Sequence, residues 1–174
     1  MAQTPLLWSR MAILYLMRHG PADGPGDDPP LSAVGVRLMT GASRGLAHLG
    51  VTFDAIYCSP LRRALATASL MTDSTRPGPG VCHVLQEAGP GARLKPLAAA
   101  LGARHAGGSV LVVGHQPDMG LMAMEAIGAR VTVPFGKGTL CGVETPGWAD
   151  LIEGRPGVLS LLVPAALLAA IAVD

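Results

Sequence analysis

The chain has 174 residues, 49% of them hydrophobic, and a formal net charge of +1. A single domain of this length can bury a hydrophobic core without metal ions or disulfide bonds to stabilise it. Only 14% of the residues are charged and 3% are aromatic, which excludes charge-driven disorder and argues against nucleic acid as a partner. The three cysteines, Cys58, Cys82 and Cys141, form no C-x-x-C pair. The sequence therefore predicts neither a disulfide framework nor a zinc site, and it favours a cytoplasmic location.

Two apolar stretches resemble membrane signals without meeting their requirements. The run that ends at Met17 is followed by Arg18-His19-Gly20, which is no signal-peptide cleavage site. The C-terminal run over 158–173 is shorter than the roughly 20 residues of a spanning helix, and Pro164 interrupts it. We therefore expect a soluble chain with no membrane partner.

Short apolar runs alternate along the chain with longer segments of helical periodicity. The apolar runs predict buried strands, and the β-α alternation predicts a three-layer α/β/α sandwich with a mostly parallel central sheet. Residues 21–30 contain four prolines, two glycines and three aspartates, which predicts a loop. The predicted strands are 12–17, 53–58, 81–85, 109–113, 139–145 and 158–163. The predicted helices are 32–49, 60–71, 94–101, 119–127 and 165–172.

Polar side chains follow the first four predicted strands. In chain order they are Arg18, His19, Arg62, Arg63, Glu87 and His115. Because ligands of open α/β sheets bind at the carboxyl ends of the strands, we expect these side chains to converge at one edge. Arginines bind phosphate oxygens bidentately, and a neutral imidazole is a nucleophile toward phosphorus. Nearby guanidinium groups should lower the pKa of the nucleophilic histidine. The set favours phosphoryl transfer without a metal ion.

Three motifs in this order resemble the histidine phosphatase superfamily. They are Tyr15-Leu-Met-Arg18-His19-Gly20, Ser59-Pro60-Leu61-Arg62-Arg63-Ala64 with Thr67-Ala68, and Val113-Gly114-His115-Gln-Pro117. The resemblance extends from about residue 12 to the C-terminus and implies a phosphoglycerate mutase-like fold. The small size and the Arg-His-Gly-Pro-Ala and Gly-His-Gln-Pro variants are most similar to the SixA-type phosphohistidine phosphatases. Phosphoglycerate mutases of the superfamily carry a longer insertion and other residues after Arg-His-Gly, so that activity is disfavoured.

The resemblance implies a role for each residue of the motifs. His19 would be the nucleophile that forms a phosphohistidine intermediate. Arg18 and Arg63 would bind the phosphate, and His115 would be the second histidine of the phosphate site. Glu87 falls where many relatives carry the acid that protonates the leaving group, although a carboxylate at a helix start is also favoured on electrostatic grounds alone.

Five further polar residues are either candidate ligands or solvated side chains at the surface. Lys137, on a Gly-rich loop, is a candidate ligand for a substrate anion, with a solvated lysine as the alternative. Arg62 falls at a variable position of its motif and is expected at the surface. Asp23, Asp27 and Asp28 could suggest a metal site, but neighbouring carboxylates in a Pro-rich loop are usually solvated. We expect neither a metal ion nor a cofactor.

The sequence favours a metal-independent phosphatase that removes phosphate from phosphohistidine on a partner protein. One alternative is a phosphatase of a small phosphate monoester, for which Glu87 should matter more. Another is a non-catalytic module that binds a phosphorylated ligand. Residues 1–10 are expected to be an N-terminal extension of a domain spanning 11–174, and specificity is expected to lie in the loops 21–30 and 132–138.

Overall fold

The computed structural model describes residues 11–72, 81–131 and 133–171. The strands in these residues are β1 (Ala12–Arg18), β2 (Ala55–Cys58), β3 (Cys82–Val84), β4 (Gly108–Gly114), β5 (Leu140–Thr145) and β6 (Val158–Val163). The helices are α1 (Ala33–His48), α2 (Arg62–Leu70), α3 (Leu94–Gly102), α4 (Asp118–Ala126), α5 (Trp148–Ile152) and α6 (Ala165–Ile171). A short 3₁₀ helix, Gln86–Ala88, lies between β3 and α3.

The strands form one sheet in the order β3-β2-β4-β1-β5-β6. Strands β1 to β4 run parallel to one another, whereas β5 is antiparallel to β1 and β6 is antiparallel to β5. The carboxyl ends of the four parallel strands therefore meet at one edge of the sheet. Because β5 runs the opposite way, the segment that leads into β5 arrives at the same edge.

Alternate residues of the central strands pack against different helix layers, as the period of two in a β-strand requires. Leu14 and Leu16 of β1 belong to the core beneath α3, α4 and α5. Tyr15 and Met17 belong to the core beneath α1, α2 and α6. Both faces of the sheet are thus covered, and the predicted α/β/α sandwich with a mostly parallel sheet is confirmed.

The layer of α1 and α6 depends on small residues at the helix contact. Gly45 is buried on α1, and a Cβ atom added there would overlap the main-chain carbonyl of Leu168 on α6. A Cβ atom at Gly41 would meet Ala169, 2.8 Å from its Cβ. The two helices therefore approach more closely than larger side chains would permit.

Most predicted elements are present with ends shifted by one or two residues. Strand β2 begins at Ala55 and not at residue 53, because Asp54 accepts the Ser109 N–H with its carboxylate while its own N–H donates to the Ser109 carbonyl. Helix α5 was not predicted, since five residues show too little periodicity. The proposed extension over 1–10 and the predicted helix end at 172 lie outside the described residues. No helix in the described ranges has the length and hydropathy needed to cross a membrane.

Candidate active site

His19 lies directly after β1 and is 8% exposed. Its main-chain N–H donates to the Gly114 carbonyl (3.0 Å), which ties it to the end of β4. Its Nδ1 lies 2.8 Å from the Gly20 carbonyl oxygen. Because a carbonyl oxygen can only accept, Nδ1 carries the ring proton and Nε2 keeps its lone pair. That lone pair accepts a hydrogen bond of 3.2 Å from Nε of Arg63.

The surroundings of His19 keep its imidazole neutral. Burial lowers the pKa of His19, and the charges of Arg63, Arg18 and Lys137 lower it further, while the hydrogen bond to Gly20 opposes these effects. A neutral ring with an unprotonated Nε2 is the form that can attack an electrophile. The expected effect of the neighbouring guanidinium groups on His19 is thus present in the structure.

Arg63 is held in place from two sides. It lies in the first turn of α2, and its Nη1 donates to the Asp27 carbonyl (3.2 Å) and contacts Oδ1 of Asp28 (3.4 Å). The Asp28 carboxylate also accepts the N–H of Arg62, at 2.9 and 3.2 Å, and so caps α2. The expectation that all three aspartates of this loop are solvated is therefore wrong for Asp28. Arg62 itself is exposed, as expected.

His115 faces His19 across the site, with ring centroids 5.2 Å apart. Its Nε2 lies 2.7 Å from Oγ of Ser59, and both side chains are buried. The Leu61 N–H donates to the same Oγ (3.3 Å), so the Ser59 hydroxyl is free to donate to Nε2. Nδ1 of His115 would then carry the proton. Burial, followed by the neighbouring His19 and by the charge of Arg63, lowers the pKa of His115 to about 4, so this ring is also neutral near pH 7.

Two buried nitrogen atoms of the site have no hydrogen-bond partner among the described residues. They are Nδ1 of His115 and Nε of Arg18. The Nη1 atom of Arg18 donates to the Phe135 carbonyl (3.0 Å), which orients the guanidinium group beside His19. An unpaired buried donor costs about 1–3 kcal/mol. An anion bound beside Nε2 of His19 would offer acceptors to both nitrogens.

The segment before β5 closes the site on the side of Arg18. The Gly138 N–H lies 3.0 Å from the Arg18 carbonyl and 3.2 Å from the His19 carbonyl. Gly138 reaches this position with a φ of +74°, a backbone conformation that residues with a side chain rarely adopt. Lys137 is exposed, and its charge acts on the pKa of His19, so it lies within electrostatic reach of the site. A role in binding substrate stays a prediction for Lys137.

Glu87 is less closely associated with the site. It lies half-buried in the 3₁₀ helix between β3 and α3, and the part of the chain that the structure describes gives it no hydrogen bond or ion pair. Its neighbour Ala88 packs its carbonyl beside Gly114, next to His115. The structure thus brings this segment to the same edge of the sheet, and the role of general acid stays a prediction.

Three residues that position the site had no role assigned from the sequence. Ser59 and Thr67 lie within the second motif, but only the fold shows their partners. Thr67 accepts the Gly20 N–H (3.0 Å) and donates to the Arg63 carbonyl (2.7 Å), so it links the turn after His19 to α2. Asp28 lies in a Pro-rich loop whose sequence gives no periodic signal.

Comparisons with known proteins agree with this geometry. The sequence model of the histidine phosphatase superfamily (branch 1) matches residues 14–92. A Picosynechococcus protein of uncharacterized function is 37% identical over 121 residues, which are 66% of this chain and 72% of that protein. The structure is similar to the protein histidine phosphatase SixA complexed with tungstate (TM-score 0.75, 25% identity, 90% of this chain and 99% of that chain). It is also similar to a Nakamurella multipartitia protein described as a candidate phosphohistidine phosphatase SixA (TM-score 0.73, 27% identity). That match covers 88% of this chain and 96% of the other chain. The resemblance predicted from the three motifs is confirmed.

Proposed function

Because the chain belongs to the histidine phosphatase superfamily and is a phosphatase, we propose that it removes phosphate from phosphohistidine on a partner protein. The observation that supports this most directly is the group of atoms around His19. A neutral imidazole whose Nε2 is unprotonated and accepts a hydrogen bond from Arg63 lies near the two unpaired buried donors of Arg18 and His115. This arrangement provides one nucleophile and three donors for the oxygens of a phosphoryl group.

The proposed reaction has two steps. His19 Nε2 attacks phosphorus in line, the P–N bond to the substrate imidazole breaks, and the departing imidazole takes up a proton. Water then attacks the phosphorus of the phosphohistidine on His19, and inorganic phosphate leaves. Arg18 and Arg63 offset the negative charge of the transferring group in both steps, and this electrostatic support is the main requirement of phosphoryl transfer.

The leaving group separates the proposal from its first alternative. Imidazole is a better leaving group than an alkoxide, because the far more basic alkoxide needs a proton as the P–O bond breaks, so phosphohistidine hydrolysis has less need of a strong acid. Among the described residues Glu87 has no hydrogen bond or ion pair that would hold it over the site, which favours the substrate with the better leaving group. Hydrolysis of a small phosphate monoester would depend on Glu87 more strongly.

The proposal is tested by measuring phosphate release from a phosphohistidine protein and from an aryl phosphate, side by side, with a chelator present. His19→Ala is the blank. Arg63→Ala should lower kcat by about 10²–10³-fold, as expected for loss of one donor to a charged transition state. Arg62→Ala is its matched control, because that side chain is exposed next to Arg63 and should leave the rate unchanged.

Each outcome favours one function. Release from the phosphohistidine protein alone supports the proposal, and release mainly from the aryl ester supports the monoester alternative. Tight binding of phosphate analogues with no release from either substrate would favour a non-catalytic phospho-ligand module. The poised Nε2 of His19 argues against that last function, since a module that only binds phosphate has no need of a nucleophile.

Two further proposals concern the whole chain. We propose that residues 11–174 form the catalytic domain and that residues 1–10 are an extension, so deletion of residues 2–10 should leave phosphate release unchanged. We also propose that the protein acts in the cytoplasm, a location consistent with three free cysteines and no disulfide framework. Cell fractionation followed by immunodetection tests this location.

A further inference from the structure

Two cysteines on neighbouring strands are in contact outside the phosphate site. Sγ of Cys58 on β2 lies 3.1 Å from Sγ of Cys82 on β3, and both residues are free thiols. Cys82 pairs with Ile56 and Cys58 pairs with Val84, so the cysteines are diagonal neighbours on one face of the sheet. The sulfur atoms need to approach by about 1 Å to reach the S–S bond length of about 2.05 Å.

We propose that Cys58 and Cys82 form a reversible disulfide bond on reaction with a low-molecular-weight disulfide, and that this bond weakens anion binding at the phosphate site. The disulfide itself does not depend on the proposed function. Its effect on anion binding rests on the proposed function, because it requires that the groups around His19 bind phosphate.

The exposure of the two thiols indicates which of them reacts first with the small disulfide. Cys82 is half-buried, whereas Cys58 is fully buried. The hydrogen bond with the Cys58 thiol lowers the pKa of Cys82, and the same contact together with burial raises the pKa of Cys58. Cys82 is therefore the thiol that deprotonates first and meets the oxidant.

The exchange balances in two steps. The Cys82 thiolate attacks one sulfur of the small disulfide, whose S–S bond breaks and releases one thiolate, which takes up the proton that Cys82 lost. Cys58 then loses its proton and attacks the Cys82 sulfur of the mixed disulfide, which releases the second thiolate. Two protein thiols are oxidised to one disulfide, and one small disulfide is reduced to two thiols.

Formation of the bond should displace β3 along β2. Neighbouring strands lie about 4.8 Å apart and the two cysteines are offset by two residues of about 3.3 Å each, so their Cα atoms are roughly 8 Å apart. Most disulfides join Cα atoms about 4.4–6.8 Å apart, so the backbone has to move. β3 is the strand that can move, because it has three residues, lies at the edge of the sheet and pairs with no described strand other than β2.

The segments that follow Cys58 and Cys82 in the chain both reach the phosphate site. Cys58 immediately precedes Ser59, whose hydroxyl contacts His115. The Cys58 carbonyl accepts the Leu85 N–H (2.8 Å), and Leu85 begins the segment that carries Glu87. A shift of β3 against β2 therefore acts on the partner of His115 and on the position of Glu87.

The test treats the full-length protein with oxidised glutathione and measures its intact mass. We expect the loss of two hydrogens, and under denaturing conditions one alkylatable cysteine in place of three. Cys82→Ser and Cys58→Ser should prevent the loss, whereas Cys141→Ser, on β5, should not. Circular dichroism checks that each variant is folded. An unchanged mass, a persistent glutathione adduct on wild type, or a bond that includes Cys141 would overturn the proposed disulfide.

The second measurement is the affinity for tungstate, by calorimetry, before and after oxidation. We expect the affinity to fall by about tenfold, equivalent to about 1.4 kcal/mol. It should return to its starting value after reduction with dithiothreitol. A disulfide that forms without changing tungstate affinity would refute the link to the phosphate site. If the reduced protein fails to bind tungstate, the phosphate site itself is disproved, while the mass measurement still decides the disulfide.

Discussion

Ser59 places its hydroxyl 2.7 Å from Nε2 of His115, and both residues are buried at the ends of neighbouring parallel strands. The contact fixes which ring nitrogen of His115 can donate a hydrogen bond to an anion. The Leu61 N–H donates to the Ser59 oxygen, which directs the hydroxyl proton toward Nε2 and leaves Nδ1 as a donor. Ser59 is thus a positioning residue for His115.

Replacement of Ser59 by Ala should lower kcat/KM for phosphate release by about tenfold, because His115 loses the partner that fixes its tautomer and orientation. Steady-state kinetics on both substrates measure the effect. Ser69→Ala is the control, since that exposed hydroxyl on α2 donates only to the Leu65 carbonyl. An unchanged kcat/KM for Ser59→Ala would contradict the assigned role.

Asp28 connects the Pro-rich loop to Arg63, the arginine that we propose binds phosphate. Asp28→Ala removes the acceptor for the Arg62 N–H and the carboxylate beside Arg63, so Arg63 should lose its fixed position. We expect KM to rise by about fivefold to tenfold with a smaller change in kcat, since the loss of a cap and of one partly exposed ion pair amounts to roughly 1 kcal/mol. Asp23→Ala, an exposed residue of the same loop, is the control. Equal kinetics in the two variants would show that Asp28 does not position Arg63.

The neutral state of His115 predicts a pH dependence of stability. The folded pKa is about 4, and an unfolded histidine titrates near 6.5. Between these values the unfolded chain binds one more proton, so the contribution of neutral His115 is complete above about pH 6.5 and is lost as pH falls toward 4. Denaturant unfolding from pH 7 to pH 4 should show a shallower loss of stability for His115→Gln than for wild type. If the unfolding free energies of the two proteins fell in parallel with pH, His115 would not have the lowered pKa assigned to it.

Glu87→Gln separates the two possible leaving groups. We expect the variant to hydrolyse the phosphohistidine protein at nearly the wild-type rate and to lose most of its activity on an alkyl phosphate, because a departing alkoxide needs a strong acid. Glu125→Gln on α4 serves as a control for the change of charge. An equal loss of activity on both substrates would contradict the assignment of Glu87 as a general acid.

Gly45→Ala tests the close packing of α1 against α6. The added Cβ meets the Leu168 carbonyl, so one helix has to move, and such overpacking costs about 1–3 kcal/mol. The gain in helix propensity, at most about 1 kcal/mol, offsets only part of this cost. Chemical denaturation should show the decrease in unfolding free energy, and Arg44→Ala, an exposed neighbour on α1, should show almost none. A variant as stable as wild type would contradict the tight contact.

Local sequence patterns were sufficient to predict the layers of the fold. The unbroken apolar runs of β1 and β4 are buried on both faces, so their composition identifies them without knowledge of the topology. The direction of β5 and β6 could not be predicted, because an apolar run is the same whether its strand pairs in parallel or antiparallel. Helix α5 has five residues and could not produce a recognisable period.

The placement of the candidate site residues was more predictable than the contacts that support them. His19, Arg63 and His115 each follow a strand, and parallel strands bring such residues to one edge. The roles of Asp28 and Ser59 depend on contacts across 35 and 56 residues of sequence, to Arg63 and His115 respectively. No periodic pattern encodes such contacts, so they became visible only in the folded chain.

The hydrogen bond from the His19 N–H to the Gly114 carbonyl has a consequence for local opening of the chain. It joins the ends of the two central strands, β1 and β4, so we expect this amide to exchange its hydrogen with solvent more slowly than amides of the exposed loops. The Arg62 N–H instead donates to Asp28 on an exposed loop and can exchange through local fraying. Under mild denaturation we therefore expect the contact between the loop and Arg63 to be lost before His19, the proposed nucleophile, leaves the end of β1.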